Sequence, residues 1–296
     1  MTKTAFLFPG QGSQTVGMGA SLMASCSVAR QIVEQVDAAL GGGLLDIMTN
    51  GSDDELKLTR NAQPALMATA VATARSLEHA TGKSIDQMAD YVAGHSLGEY
   101  SALAAAQTFT LADAARLLKI RGQAMQSATP VGTGAMAALL GLDFATAAAV
   151  AAEAAQGEVC QAANDNSDGQ VVVSGSKAAV ERCAEVAKAK GAKRAIMLPV
   201  SAPFHCALMQ PAADVMADAL SKVAMKAPVV PVVANVGSAP LTDPAAIRAS
   251  LVAQVTGTVR WRECVGWMAA QGVTRFYEIG AGKVLTGLSK KNAPDA

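Results

Sequence analysis

Gly94-His95-Ser96-Leu97-Gly98 is the segment whose residue types and spacing speak most directly of chemistry. It is a G-x-S-x-G run placed between a short apolar stretch, Tyr91-Val92-Ala93, and a helix-forming stretch from Glu99 to Ala106. A strand that turns sharply into a helix holds its serine on strained backbone and projects the Oγ beside free amides at the helix N-terminus. The flanking glycines remove side chains that would collide in such a turn. These are the needs of a serine nucleophile whose oxyanion is met by main-chain N–H groups. A glycine turn with a capping serine is the plainer alternative, and the strand, turn and helix context weighs against it.

A serine nucleophile needs a base, and the chain has three histidines. His79 falls in the last turns of a helical stretch beside Glu78, where a solvated histidine at a helix C-terminus explains it. His95 is bound into the turn next to the serine and reads as a structural or pocket-lining group. His205 lies in the irregular segment Val200-Ser201-Ala202-Pro203-Phe204-His205-Cys206, from which an imidazole can reach into a cleft, and it is the expected base. An inert, hydrogen-bonded core histidine remains its alternative. A His205/Cys206 pair is disfavoured because adjacent residues rarely face each other at a helix start. With His205 as base, acylation should slow as the pH falls through the ordinary histidine value of ~6.5.

Arg121 is the third candidate. On a helix its neighbours three and four positions away are Leu117, Leu118, Ala124 and Met125, so the guanidinium points toward the core and must find an anion there. That anion is either an internal carboxylate or a substrate group. The glycine-rich segments do not make nucleotide sites. Gly10-Gln11-Gly12 lacks the third glycine of a dinucleotide turn, and Lys283 is followed by Val284 where a P-loop needs Ser or Thr. Pro9 to Ser13 still follows a buried strand, so its amides sit where open α/β sheets bind ligands and could supply a second oxyanion donor.

The elements that must position these groups follow from pattern. Ala5 to Phe8 and Tyr91 to Ala93 read as strands buried on both faces, the mark of a parallel sheet. Helices are expected at Ala62 to Ala80, with Pro64 in the first turn and Gly82 past the end, and at Leu111 to Ser127. A breaker-rich loop at Thr129 to Gly134 then changes the grammar to strand, helix, strand, strand, helix, strand between Ala135 and Leu198, a ferredoxin-like order. The α/β pattern resumes with helices near Leu208 to Val223, Pro244 to Val255 and Trp261 to Gln271, and strands near Val230 to Ala234 and Arg275 to Ile279. The expected organisation is a large α/β domain of residues 1–128 and 200–296 with a small domain, 129–199, inserted.

Composition narrows the function. The 296 residues are 51% hydrophobic and 16% charged, so a well-buried globular protein is expected. Lys plus Arg and Asp plus Glu both number 24 and no basic run appears, which argues against nucleic acid. No apolar stretch approaches the roughly 20 residues a membrane span needs, and no signal peptide is legible, so a cytoplasmic location is expected. The five cysteines are scattered without a C-x-x-C, which points to reduced thiols rather than disulfides or zinc.

Taken together, the motifs resemble the malonyl-CoA:acyl carrier protein transacylases of fatty acid synthesis. The resemblance runs along nearly the whole chain. It rests on Phe8-Pro9-Gly10-Gln11-Gly12-Ser13-Gln14, Gln63-Pro64-Ala65-Leu66, Gly94 to Tyr100, Arg121-Gly122-Gln123-Ala124-Met125, Asn164 to Ser167, Pro203-Phe204-His205, Gln254 to Trp261 and Glu278-Ile279-Gly280. It implies an α/β hydrolase-like large domain with a parallel-sheet core and an inserted ferredoxin-like small domain. It also implies Ser96 as nucleophile, His205 as base and acid, and the main-chain carbonyl of Gln254 orienting the imidazole. The amides of Gln11 and Leu97 would form the oxyanion hole, Arg121 would hold the malonyl carboxylate, and Gln63 would be a pocket residue. The implied partners are malonyl-CoA and the phosphopantetheine thiol of holo acyl carrier protein, with no metal and no resident cofactor. The malonyltransferase subunit of malonate decarboxylase and a trans-acting polyketide acyltransferase would share every motif, and a serine hydrolase is the alternative of another class. Phe204 stands where several members carry serine, which alters the pocket wall, and the chain ends at Ala296, earlier than the family pattern.

Overall fold

A computed structural model of the chain describes residues 2–296. Strand β1 (Lys3–Phe8) is followed by short helices α1 (Ala20–Ser25), α2 (Ser27–Ala39), α3 (Leu44–Thr49) and α4 (Asp53–Lys57). Then come α5 (Thr59–Thr81), α6 (Ile85–Met88), β2 (Tyr91–Gly94), α7 (Leu97–Ala105) and α8 (Leu111–Ser127). The next stretch runs β3 (Gly134–Leu140), α9 (Phe144–Ala155), β4 (Cys160–Ser167), β5 (Gln170–Ser176), α10 (Lys177–Ala189) and β6 (Arg194–Met197). The chain closes with α11 (Gln210–Ser221), β7 (Val232–Val233), β8 (Pro240–Leu241), α12 (Pro244–Thr256), α13 (Trp261–Ala270), β9 (Val273–Glu278) and α14 (Val284–Asn292).

Two separate sheets result. The first has the order β8-β7-β2-β1-β9, parallel except for the edge pair β7 and β8. The second, β4-β5-β3-β6, is antiparallel throughout. Strand alternation explains the layers on the first sheet. Phe6 and Phe8 of β1 pack with α5 and α7, whereas Ala5 and Leu7 face a second apolar layer built from Trp261, Val265 and Met268 of α13 and Leu285 and Leu288 of α14. The antiparallel sheet keeps its own core, in which Leu139, Val171 and Val173 meet Val150 of α9 and Val180 of α10.

Several sequence expectations shift. Helix α5 begins at Thr59 rather than Ala62, so Pro64 lies inside it rather than in its first turn. The start is moved upstream by Leu58, whose carbonyl accepts from the amides of Asn61 and Ala62. Against the strand expected from sequence at Val159 to Ala163, β4 reaches Ser167, because Asn164 bridges to Val259 and the Asp165 amide donates to the Val259 carbonyl. β7 keeps only two ladder residues of the expected Val230 to Ala234 strand.

Candidate active site

Ser96 sits at the junction of β2 and α7 with φ 53° and ψ −112°, a strained region for a residue with a side chain. The geometry leaves no room beside it. A Cβ on Gly94 would overlap the Gly98 carbonyl, and one on Gly98 would overlap the Phe8 carbonyl of β1. Ser96 Oγ lies 2.7 Å from His205 Nε2. His205 Nδ1 is 2.9 Å from the main-chain oxygen of Gln254 near the end of α12. Because a carbonyl only accepts, Nδ1 carries the proton, and the neutral ring offers Nε2 as acceptor to the Ser96 hydroxyl. Burial, reinforced by the Arg121 charge, pushes the His205 pKa down to about 3. The ordinary value near 6.5 expected from sequence therefore does not hold in the folded protein.

Arg121 is 1% exposed and stands on α8. α8 can press against the start of α5 because position 122 is glycine, where a Cβ would come within 2.6 Å of the Arg60 Cα. Arg121 Nη1 donates to Gln63 Oε1 at 2.8 Å, and Nη2 donates to Gln254 Oε1 at 2.9 Å and to Ser96 Oγ at 3.1 Å. Its Nε is buried without an acceptor. Of the two anions open to it from sequence, no internal carboxylate forms an ion pair with it among the described residues. The guanidinium also lies over the Tyr100 ring at 5.6 Å.

Gln11 and Leu97 line the same cavity, at matching places after paired strands. Phe8 of β1 pairs with Gly94 of β2, and each amide lies three residues beyond its rung. Neither N–H donates to a protein acceptor among the described residues. His95 takes no place between Ser96 and His205; its Nε2 pairs with Asn166 Oδ1 at 2.8 Å and its ring tilts against Trp261. His79 is exposed on α5, far along the helix from the site. Cys206 donates to the Pro203 carbonyl, away from the nucleophile position.

Three groups escaped the sequence reading. Asn235 Oδ1 accepts from the Ser96 amide at 2.8 Å, and its Nδ2 donates to the Gly94 carbonyl at 2.8 Å. The Gln254 side chain, as distinct from its carbonyl, donates to the Ser96 carbonyl at 3.0 Å. Glu99 is 1% exposed and accepts from the Asn235 amide and from Gln254 Nε2. Burial pushes the Glu99 carboxyl up to about 7 against the pull of those two hydrogen bonds and of the Arg121 charge. No short motif signals these contacts; only the acidic residue following Gly98 stood in view.

Ser96, His205, Arg121, Gln63, Gln11 and Leu97 all line one cavity of about 450 Å³. Its lining also includes Met136 of β3, Asn164 of β4, and Leu198 and Phe204 of the segment after β6. Among the described residues no group of three or more His, Cys, Asp or Glu could hold a metal. No helix there is long and apolar enough to cross a membrane.

A strained serine on a strand-to-helix turn, a neutral histidine within hydrogen-bond reach and two amides without a protein acceptor are the parts that acyl transfer through a serine requires. Residues 5–293 match the acyl transferase domain family, and the chain belongs to it. It is 51% identical to the malonyl CoA-acyl carrier protein transacylase of Escherichia coli K12 over 98% of this chain and 93% of that one. It also superposes on the acyl-carrier-protein-S-malonyltransferase of Bartonella henselae with a TM-score of 0.97 at 54% identity, covering 99% of this chain and 93% of that one. A further match, TM-score 0.96 and 44% identity over 99% of this chain and 94% of the other, is a malonyl-transacylase in complex with a holo type II PKS acyl-carrier protein.

Proposed function

We propose that this chain moves a malonyl group from malonyl-CoA to the phosphopantetheine thiol of holo acyl carrier protein, in fatty acid biosynthesis, through an ester on Ser96. The observation that carries the reading is Arg121, a buried guanidinium 3.1 Å from Ser96 Oγ with amide oxygens but no carboxylate as protein partners. An acyl group that brings its own carboxylate supplies the missing anion.

Ser96 Oγ attacks the thioester carbonyl carbon as its proton passes to His205 Nε2. The Gln254 carbonyl holds the ring and stabilises the imidazolium, as the carboxylate does in a Ser-His-Asp triad. The amides of Gln11 and Leu97 receive the oxyanion. Collapse breaks the carbon–sulfur bond, and coenzyme A leaves with the proton from His205. The carrier thiol then attacks the ester, giving its proton to His205, and the ester oxygen returns to Ser96 as hydroxyl. Gln63 steadies Arg121 throughout. The steps draw on side chains and amides of the chain and on the two thiols alone, and the proposal includes no metal and no resident cofactor.

The large region, 1–128 with 200–296, is proposed as α/β hydrolase-like and 129–199 as an inserted ferredoxin-like unit. The βαββαβ order and the all-antiparallel sheet with its first and third strands at the centre support the second description. A cytoplasmic location is part of the same proposal.

Mixing the protein with malonyl-CoA alone should add one malonyl mass, located on Ser96, and separate holo carrier proteins added afterwards should remove it. The carrier of a type II PKS belongs in that panel because a similar malonyl-transacylase is known in complex with one. Release to water faster than to any carrier thiol would instead make the chain a hydrolase.

A further inference from the structure

We infer that Glu99 is a positioning residue for the choice of acyl group, acting on Arg121 through the side-chain amide of Gln254. The inference rests on Arg121 as holder of the malonyl carboxylate.

Glu99 occupies the third position of α7, where an acidic side chain commonly turns back to cap the helix. Here it does not, since the Ser96 amide is already taken by Asn235 Oδ1. The Glu99 side chain instead runs into the interior, where one oxygen, Oε2, accepts from the Asn235 amide at 2.9 Å and from Gln254 Nε2 at 2.9 Å. Three acceptors thus surround Gln254 Nε2: Glu99 Oε2, the Ser96 carbonyl at 3.0 Å and Asn235 Oδ1 at 3.3 Å. Only the donor end of an amide can face them.

The other end is thereby decided. Gln254 Oε1 turns toward α8 and accepts from Arg121 Nη2 at 2.9 Å. A guanidinium has five donors and no acceptor, so the opposite amide orientation would set N–H against N–H on one side and carbonyl against carboxylate on the other. With Gln63 Oε1 at 2.8 Å on the second terminal nitrogen, Arg121 is gripped by two amide oxygens. Its Nε is buried and unpartnered. Glu99 touches neither Arg121 nor any group that reacts; it sets the polarity of the amide that does.

The test reads the ratio of acyl-enzyme formation rates with malonyl-CoA and acetyl-CoA. Glu99→Met removes the acceptor at similar side-chain length and should lower the malonyl-to-acetyl ratio about tenfold. Glu99→Gln keeps a carbonyl oxygen in place and should stay within about threefold of the parent. In an Arg121→Ala background Glu99→Met should leave the ratio where Arg121→Ala alone has put it. A merely structural Glu99 would lower both rates together and leave the ratio unchanged, which overturns the inference. Should Glu99→Met not fold, Gln254→Met deletes the same amide, keeps the main-chain carbonyl, and must lower the ratio similarly; an unchanged ratio again overturns it. If Arg121→Ala itself leaves the ratio untouched, the underlying assignment of Arg121 fails instead, so the two failures are separable.

Discussion

Ser96 and Arg121 approach to 3.1 Å, yet the chain holds them by opposite means. Ser96 is placed by backbone: a positive φ, two glycines without room for a Cβ, and the start of a helix, all within five residues. Arg121 is placed by side chains drawn from far apart, Gln63 on α5 and Gln254 on α12, with only Gly122 as a local contribution. The nucleophile's conformation is set by a local turn whose amide and carbonyl Asn235 and Gln254 clamp from afar, whereas the group beside it has no such turn and depends on the polar network alone. Damage to the first should remove chemistry, whereas damage to the second should change which acyl group is handled.

The largest effects test the first half of that contrast. Ser96→Ala should abolish the malonyl adduct, and His205→Ala should slow acylation by three or more orders of magnitude, while His79→Ala leaves it unchanged. Intact-mass kinetics with malonyl-CoA reads all three, and an adduct that persists on Cys206 in Ser96→Ala would falsify the nucleophile assignment.

Arg121→Ala tests the second half. Breaking a desolvated pair costs about 3–5 kcal/mol, so malonyl transfer should fall by roughly two to four orders of magnitude. Acetyl transfer, which needs no anion partner, should hold or improve. Equal losses with both substrates would make Arg121 a structural residue.

A smaller effect separates local from network placement by stability. Gly98→Ala pushes a methyl into the Phe8 carbonyl and should cost about 1–3 kcal/mol in denaturant unfolding, with a loss of acylation rate for malonyl and acetyl alike. A fall in the malonyl rate alone would contradict the division drawn here.

The pH dependence should be the mildest change across the working range. The base is active when neutral, and its pKa is held at about 3, so the titration of His205 itself should leave acylation flat as the pH falls through 6.5 and slow it only on approach to 3. The sign for stability is the same. Between the unfolded value of about 6.5 and 3 the unfolded chain binds a proton that the folded one refuses, so His205 lowers stability as the medium becomes more acidic. Stopped-flow acylation between pH 4 and 8 checks this in Glu99→Gln, which lacks the buried carboxyl that titrates near 7, and an inflection near 6.5 there would place His205 in a far wetter setting.

The contrast also explains what was legible in the sequence. The elbow at Gly94 to Gly98 announces itself because every residue it needs is adjacent. His205 could be singled out because only three histidines exist, and Arg121 because its helical neighbours are apolar. The parallel-sheet strands and the inserted antiparallel unit showed through their apolar runs. Asn235, Glu99 and the Gln254 side chain did not, since their meaning lies in contacts up to 158 positions apart in the chain. The helices α1, α3 and α4, of five or six residues each among glycines, are too short for a helical period to register. The depressed pKa of His205 follows from complete burial beside Arg121, which no local pattern encodes.

One consequence of the pairing between Phe8 and Gly94 concerns tolerance to change. Gln11 and Leu97 offer main-chain N–H groups, so almost any residue except proline at position 11 would present the same donor. What the rung of the ladder fixes is a count: three steps from Phe8 to one amide and three from Gly94 to the other. Inserting or deleting a single residue between Pro9 and Gln11 would displace one donor by about the 3.3 Å rise of a strand residue, farther than a hydrogen bond can stretch. The Gln11 side chain reaches Thr59 at the start of α5, and the proposed chemistry asks only for its amide. At this corner of the molecule spacing is under stricter control than spelling.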